Sequence, residues 1–469
     1  MDNVNNQEKK KKKIEKKWLF LIGIVVIAVV LIIHAVAVGD MSTLLNGGAI
    51  TGDNLLAVVT LMIAIPILLL ALILTMIFSK PAPETVVTEI TGITALAGNS
   101  AKGESEEDEV TERFCMLSAI DKKKKNYGAR NYDKGVTLKD FCENFRNYAA
   151  NRLGLYYDIN DIRRFIAGMS VSHILILQGM SGTGKTSLAH AFGSFIDNTS
   201  TVIPVQPMWK ERTDLIGYYN EFTRKFNETL LLEKMYEANY SEDMYITVLD
   251  EMNIARVEYY FAEFLSLLEL PNPEERFLEV VPDKWQTDPE QLIDGRIKLP
   301  SNMWFIGTAN NDDSTFAISD KVYDRAMILN LDNRCERFAA PATPNMHVSA
   351  KQFCDLVCAA EKEYEISRRN RRRIEQLDAY LVEHFHITFG NRIMKQIRSY
   401  VPVFISCGGD ELDALDDILA KKVMRKLETQ NPIYLRNSAE GLISYLDELF
   451  GQDKMTLCKE FIHRLERNA

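Results

Sequence analysis

Gly179-Met180-Ser181-Gly182-Thr183-Gly184-Lys185-Thr186 (residues 179–186) is the stretch on which the reading of this chain turns. It fits G-x-x-x-x-G-K-[ST], the phosphate-binding loop. An apolar run, Ile174 to Leu177, enters it, and a helix-compatible stretch, Ser187 to Phe192, leaves it. That context matters because a buried strand must deliver the loop to a helix N-terminus, where free backbone N–H groups and the helix dipole meet phosphate. Gly182 and Gly184 let the backbone curl around an anion. Lys185 is placed for the β- and γ-phosphates, and the Thr186 hydroxyl for a magnesium ion. Residues Gly179 to Thr186 and the adjoining Ser187 are therefore the candidate nucleotide contacts.

Outward from the loop, the chain alternates between short apolar runs and helical segments. Strand candidates are Ile174–Gln178, Thr201–Gln206, Tyr245–Leu249, Met303–Thr308 and Ala326–Leu331. Such runs, separated by helices, imply parallel strands covered on both faces, which is a doubly wound α/β domain. It is expected over residues 166–337, with a helical N-terminal region, 111–165, before it. From about Arg337 onward the strand signals stop. Helical periodicity dominates Ala350–Tyr364, Arg371–Phe385, Arg392–Ile405, Asp410–Lys426 and Ala439–Phe450, so an all-helical domain is expected over 338–469.

The N-terminal part reads differently. Residues 1–17 form a basic tail with Lys9 to Lys13, Lys16 and Lys17. Trp18 to Val38 and Leu55 to Phe78 are long uncharged apolar runs, and the segment between them has no lysine or arginine. Their lengths suit membrane-spanning helices, so residues 18–78 are expected to form a two-helix transmembrane hairpin in the lipid bilayer. The lysine asymmetry places both termini, and the nucleotide-binding domain, on the cytoplasmic side. Residues 79–110 are rich in Ser, Thr, Gly, Ala and Glu and read as a flexible linker.

The 469 residues are enough for about three units, and the formal net charge of −10 argues against direct nucleic-acid binding. The seven cysteines are scattered without C-x-x-C pairs, which points to reduced thiols rather than a zinc or disulfide frame.

Two further motifs bear on chemistry. The strand Tyr245 to Leu249 ends in Asp250-Glu251, at the strand end where open α/β sheets bind ligands. Asp250 is the candidate Mg2+ holder with Thr186, and Glu251 the candidate to polarise the attacking water. The strand Met303 to Thr308, expected to lie between the two others, leads to Asn310, whose amide is placed for the water and the γ-phosphate.

The order of phosphate loop, Asp250-Glu251 and Asn310 resembles AAA+ nucleotide-driven motors. VLDEMNIARVEYYFAEFLSLLE (248–269) followed by IGTANNDDST (306–315) narrows the resemblance to the branch with McrB-type, dynein-related and MoxR-like members. McrB-type members carry Asn-x-x-Asp after the fourth strand, matched by Asn310 and Asp313. The resemblance implies a P-loop AAA+ parallel-sheet core with a C-terminal all-helical lid domain, here preceded by two transmembrane helices. Arg325, in Asp324-Arg325, stands at the place of the arginine finger that reaches a neighbouring subunit's γ-phosphate. Arg392, in Gly390-Asn391-Arg392, stands at the place of sensor 2, which contacts the phosphates in cis. McrB-type members have consecutive arginines at the finger position, whereas here Ala326 follows Arg325.

The expected function is a membrane-anchored nucleoside triphosphatase, assembled as a ring of identical subunits, a hexamer by the resemblance. It hydrolyses ATP with Mg2+ to move or remodel an unidentified protein partner. A GTP-dependent McrB-like restriction or defence motor with a separate effector is the alternative, and a non-hydrolysing nucleotide-gated scaffold is a third. The intact set of Lys185, Asp250, Glu251 and Asn310 argues against the scaffold. Trp209 to Tyr219 follows the second strand, where related motors carry substrate- or partner-facing insertions.

Overall fold

The computed structural model describes residues 112–128, 130–310, 315–332 and 335–468. The basic tail, the two apolar runs within 18–78, the linker and Asp313 lie outside these residues. Among the described residues, no helix is long and apolar enough to cross a membrane.

A five-stranded sheet forms the centre. Its strands are β1 (Ile174–Gly179), β2 (Thr201–Pro204), β3 (Tyr245–Asp250), β4 (Met303–Asn310) and β5 (Met327–Asn330), in the spatial order β5-β1-β4-β3-β2. Every pairing is parallel, and Gly179 of β1 lies level with Asn310 of β4. The C-terminal ends of β1, β3 and β4 are thereby gathered at one edge, with β4 in the place its sequence suggested.

Side chains alternate across the pleat, and both faces are buried. Leu175, Leu177, Ile246, Val248, Trp304, Ile306, Met327 and Leu329 enter one apolar core. Ile174, Ile176, Tyr245, Leu249, Met303, Phe305 and Ile328 enter the other. Two covered faces are why these strands read as unbroken apolar runs.

The first core is covered by helices α1 (Leu138–Leu153), α2 (Ile159–Val171) and α3 (Lys185–Phe195). Thr137 and Asp158 cap the first two through their side chains. The second is covered by α4 (Leu230–Ala238), α5 (Ala262–Leu268) and the short helix Met116–Lys122.

Two antiparallel additions interrupt the alternation. One is a hairpin, Gly217–Asn220 with Lys225–Glu228. The other is a three-stranded sheet of Phe277–Glu279, Leu292–Ile293 and Arg296–Lys298. Their strands have two to four residues, too short for a period-2 pattern to register.

After β5 the chain is helical: α6 (Ala350–Glu363), α7 (Arg368–Phe385), α8 (Gly390–Ser406), α9 (Glu411–Lys422), α10 (Pro432–Phe450) and α11 (Thr456–Asn468). Ser349 and Gln352 form a capping box on α6. Pro432 at the first helical position, with Asn431 as cap, starts α10 seven residues before its apolar period is evident. Residues of α6 to α11 share the first apolar core with the sheet face. The described chain is thus an α/β parallel-sheet core with a C-terminal helical region packed on it.

Candidate active site

β1 carries the loop to the edge where the strands end. Gly179 has φ of 146°, and a Cβ there would stand 2.5 Å from the Leu331 carbonyl oxygen, so only glycine passes beneath β5's exit. Gly184 has φ of 89° and precedes α3 with no side-chain cap, leaving the first N–H groups of the helix open toward the loop. Lys185 is buried at 7% exposure and donates to the carbonyls of Gly179, at 3.0 Å, and Met180, at 2.7 Å. Burial lowers its pKa, and the carboxylates of Asp332, Asp250 and Glu251 oppose that shift. An ammonium held inside a curl of backbone by two carbonyls keeps its third donor for an anion.

Across the loop, Thr186 Oγ1 donates to Asp250 Oδ1 at 2.7 Å. Thr308 on β4 donates to the same oxygen at 2.8 Å and accepts from the Glu251 backbone N–H at 2.9 Å. Glu251 has φ of 53°, the left-handed region that non-glycine residues adopt at a cost. This bend leaves the Glu251 side chain exposed beyond the end of β3. Asn310 ends β4 beside it. The Asn310 carbonyl accepts from Asn253 Nδ2 at 2.9 Å and from Thr315 Oγ1 at 3.0 Å.

A cavity of about 1280 Å3 opens over the strand ends, lined by Gln178, Asn310 and Asp332 and, from α11, Arg464 and Arg467. A smaller one, about 370 Å3, adjoins Gly182, Thr183 and Gly184 and is walled by Tyr156, Tyr157 and Arg337. The Tyr157 hydroxyl donates to the Gly184 carbonyl at 3.1 Å, and burial raises its pKa.

The two arginines form a second group. Arg325 Nη2 stands 2.8 Å from Glu269 Oε2, and Arg392 Nη2 stands 2.6 Å from Oε1 of the same carboxylate. Ser172, two residues before β1, donates to the Arg325 carbonyl at 2.8 Å, so Arg325 lies level with the start of β1. Ser172 to Gly179 spans seven residues, roughly 20 Å of extended chain. Neither the finger position nor the sensor 2 position is therefore brought to its own loop. Arg392, expected at the phosphates of its own subunit, stands beside Arg325 at the opposite edge of the sheet.

Sequence reasoning missed Thr308, Asn253 and Glu269. Thr308 sits in a buried strand, where threonine reads as an ordinary strand former. Asn253 and Glu269 lie inside the quoted stretch 248–269 without a spacing signal of their own. In the insertion after β2, Trp209 packs edge-on against Tyr260 and Arg212 pairs with Glu263 at 2.8 Å, while Tyr218 is exposed. Phe222, at the tip of the hairpin, is fully exposed.

Residues 174–326 match the family model for the AAA domain of the dynein-related subfamily. No curated protein matches the chain. Three solved structures show a distant likeness. An MCM homologue from Methanopyrus kandleri has 10% identity and a TM-score of 0.37, covering 63% of this chain and 63% of that one. NtrX from Brucella abortus in complex with ADP has 14% identity and a TM-score of 0.23, with 66% and 67% covered. Drosophila ORC bound to DNA has 11% identity and a TM-score of 0.20, with 80% and 96% covered. This chain thus spans less than two thirds of the length of the first of them. Over residues 174–326, therefore, the chain is similar to the AAA domain of the dynein-related subfamily.

Proposed function

We propose that the chain is a membrane-anchored AAA+ nucleoside triphosphatase of the McrB-type or MoxR-like kind, working as a ring and hydrolysing ATP to move or remodel a protein partner. The observation that carries this reading is the separation of the site into two halves. Lys185, Thr186, Asp250, Glu251 and Asn310 stand at one edge of the sheet, and Arg325 and Arg392 at the other. A residue that cannot reach its own loop serves a neighbour's, and a head-to-tail interface of identical subunits closes into a ring.

The residues fit a nucleoside triphosphate with Mg2+. Thr186 and Asp250 bring a hydroxyl and a carboxylate oxygen within 2.7 Å of each other, which is the hard oxygen donor set such an ion takes. When bound, Mg2+ neutralises charge on the β- and γ-phosphate oxygens. The loop N–H groups and Lys185 bind and orient the phosphates. Glu251 accepts the proton of the attacking water, and the Asn310 amide holds that water in line. Arg325 of the neighbouring subunit stabilises the charge that develops on the transferred phosphoryl group. Arg392, sharing Glu269 with Arg325, acts on the same neighbour.

The uncharged runs 18–38 and 55–78 support the membrane anchor. Exposed Tyr218 and Phe222 support the hairpin as the surface that touches the partner. The test is phosphate release by the purified full chain with ATP and, separately, GTP, alongside a mass measurement of the assembly. Release by an oligomer, abolished by Glu251→Gln while nucleotide still binds, is the expected result. A monomer that hydrolyses at full rate, or a wild type without turnover, overturns the reading.

A further inference from the structure

The turn that carries Arg325 is gripped from the C-terminal helical region. Lys422, the last residue of α9, is buried at 5% exposure. Its Nζ donates to the carbonyls of Tyr323 at 2.6 Å and Ala326 at 2.5 Å, with the Asp324 carbonyl at 3.4 Å. The Tyr323 and Asp324 carbonyls lie where the short helix Asp320–Tyr323 ends, so they lack helical partners of their own, and Ala326 directly precedes β5. Gln396 on α8 donates to the Asp324 carbonyl at 3.2 Å. The Arg425 guanidinium lies 3.3 Å from the centre of the Tyr323 ring. Three residues of the helical region therefore hold the four-residue turn 323–326.

The choice of residue is costly. A buried ammonium with no carboxylate at ion-pair distance carries a desolvation penalty that is only partly offset; among the described residues Lys422 makes no ion pair, and the Asp324 carboxylate acts on it only from farther away. A methionine would fill similar volume without that penalty. What the ammonium supplies and a methionine does not is a set of donors converging on carbonyls that flank Arg325 on both sides. Holding the carbonyls at 323 and 326 fixes the backbone between them, and with it the direction in which Arg325 leaves the turn.

We infer that Lys422 is a positioning residue for Arg325, through which the helical region of one subunit sets the arginine presented to its neighbour's nucleotide. This rests on the ring reading above. A shift of α9 relative to the sheet displaces the turn with it, so the packing state of one subunit is passed to the next active site. A displacement of about 1 Å at a catalytic group costs on the order of 100-fold in rate.

The test uses the full chain carrying Lys422→Met. Expected are nucleotide affinity and KM within about twofold of wild type and a kcat lower by about 10- to 100-fold. When Lys422→Met subunits are mixed with Glu251→Gln subunits, turnover rises above that of either alone. The Glu251→Gln subunit is dead at its own site but still presents a well-placed Arg325 to the intact site of the other. A merely misfolded Lys422→Met subunit gains nothing from mixing. Wild-type kcat in Lys422→Met, or a loss that mixing does not restore, overturns the inference. Arg325→Ala separates the two layers. If it turns over at the wild-type rate, the finger reading fails and this inference falls with it. If it is slow and Lys422→Met is not, only the inference fails. Should Lys422→Met not fold, Gln396→Ala loosens the same turn from α8 and is judged by the same loss and the same rescue.

Discussion

The hydroxyl of Thr308 stands 2.8 Å from Asp250 Oδ1 and 2.9 Å from the backbone nitrogen of Glu251, so one side chain of β4 holds both acidic residues at the end of β3. Parallel pairing of β3 with β4 puts it there, with Leu249 level with Gly307. Asp250 Oδ1 then has two donors, Thr186 and Thr308, on one oxygen, and the second oxygen is left to its surroundings.

Thr308→Val keeps the shape and strand propensity of the side chain and removes both hydrogen bonds. The Glu251 N–H then has no acceptor, and an unmet polar group of this kind costs about 1–3 kcal/mol. Chemical denaturation should show that loss. Phosphate release should fall by about tenfold, because Glu251 is no longer held in its left-handed bend against a 1.4 kcal/mol per decade scale. Thr308→Ser should keep both bonds and most of the rate. Equal turnover in the valine and serine variants would remove Thr308 from the site.

The loop, the strand entering it and the acidic pair were legible because each is a local pattern. Gly184 and Lys185 are separated from their meaning by one turn of chain, and Asp250-Glu251 by one strand. The place of β4 between β1 and β3 followed from the same logic. Thr308 was not legible, since its role exists only after two strands pair 57 or 58 residues apart in sequence. Lys422 meets Tyr323 across 99 residues and reads in sequence as the polar end of an amphipathic helix. Arg392 is the instructive case. Its resemblance to sensor 2 named a residue and a direction, but where it stands depends on how α8 packs against Glu269, and no local pattern encodes that packing.

Glu269→Gln tests whether the shared carboxylate matters for chemistry or only for packing. All three partners are partly exposed, at 24% to 50% for the arginines and 31% for Glu269, so the ion pairs contribute only about 0–1 kcal/mol to stability. Melting should hardly change. Without the carboxylate, two guanidinium groups face each other with no anion between them, and Arg325 loses one of its two hydrogen-bonded anchors, the Lys321 carbonyl remaining. Turnover should fall about tenfold at unchanged nucleotide affinity. A large drop in melting temperature with normal kcat in the surviving fraction would reduce Glu269 to a packing tie.

Gly179→Ala puts a Cβ 2.5 Å from the Leu331 carbonyl oxygen at a φ of 146°. The clash is with backbone, so β5 must separate from β1 or the loop must shift. Nucleotide binding should weaken at least tenfold, measured by equilibrium titration, and unfolding should cost about 1–3 kcal/mol less for the backbone strain alone. Gly182→Ala has open space around its Cβ and meets only the strain of its own φ of 81°. It should be the milder of the two. The reverse order would mean that the loop's contact with β5 carries no weight.

Lys422 also makes the stability of the protein depend on pH, in the same direction as a carboxylate with a depressed pKa but in a more alkaline window. Burial lowers its pKa from 10.5 to about 7; Asp324 opposes the shift, and Arg392, Arg425 and Lys421 add to it. Below pH 7 the folded and unfolded chains both carry the proton, and the cost of burying the charge is felt in full. Between pH 7 and 10.5 the folded chain releases the proton while the unfolded chain keeps it. Stability therefore rises with pH across that window, with a slope of up to about 1.4 kcal/mol per pH unit from this group. Lys422→Met removes the slope. The measurement is urea unfolding of wild type and variant at pH 6.5, 7.5 and 8.5, under conditions where both refold. The difference between them should change in favour of wild type as pH rises. A difference that stays constant across the three pH values would mean that Lys422 keeps its proton throughout and that its hold on the Arg325 turn does not weaken at alkaline pH.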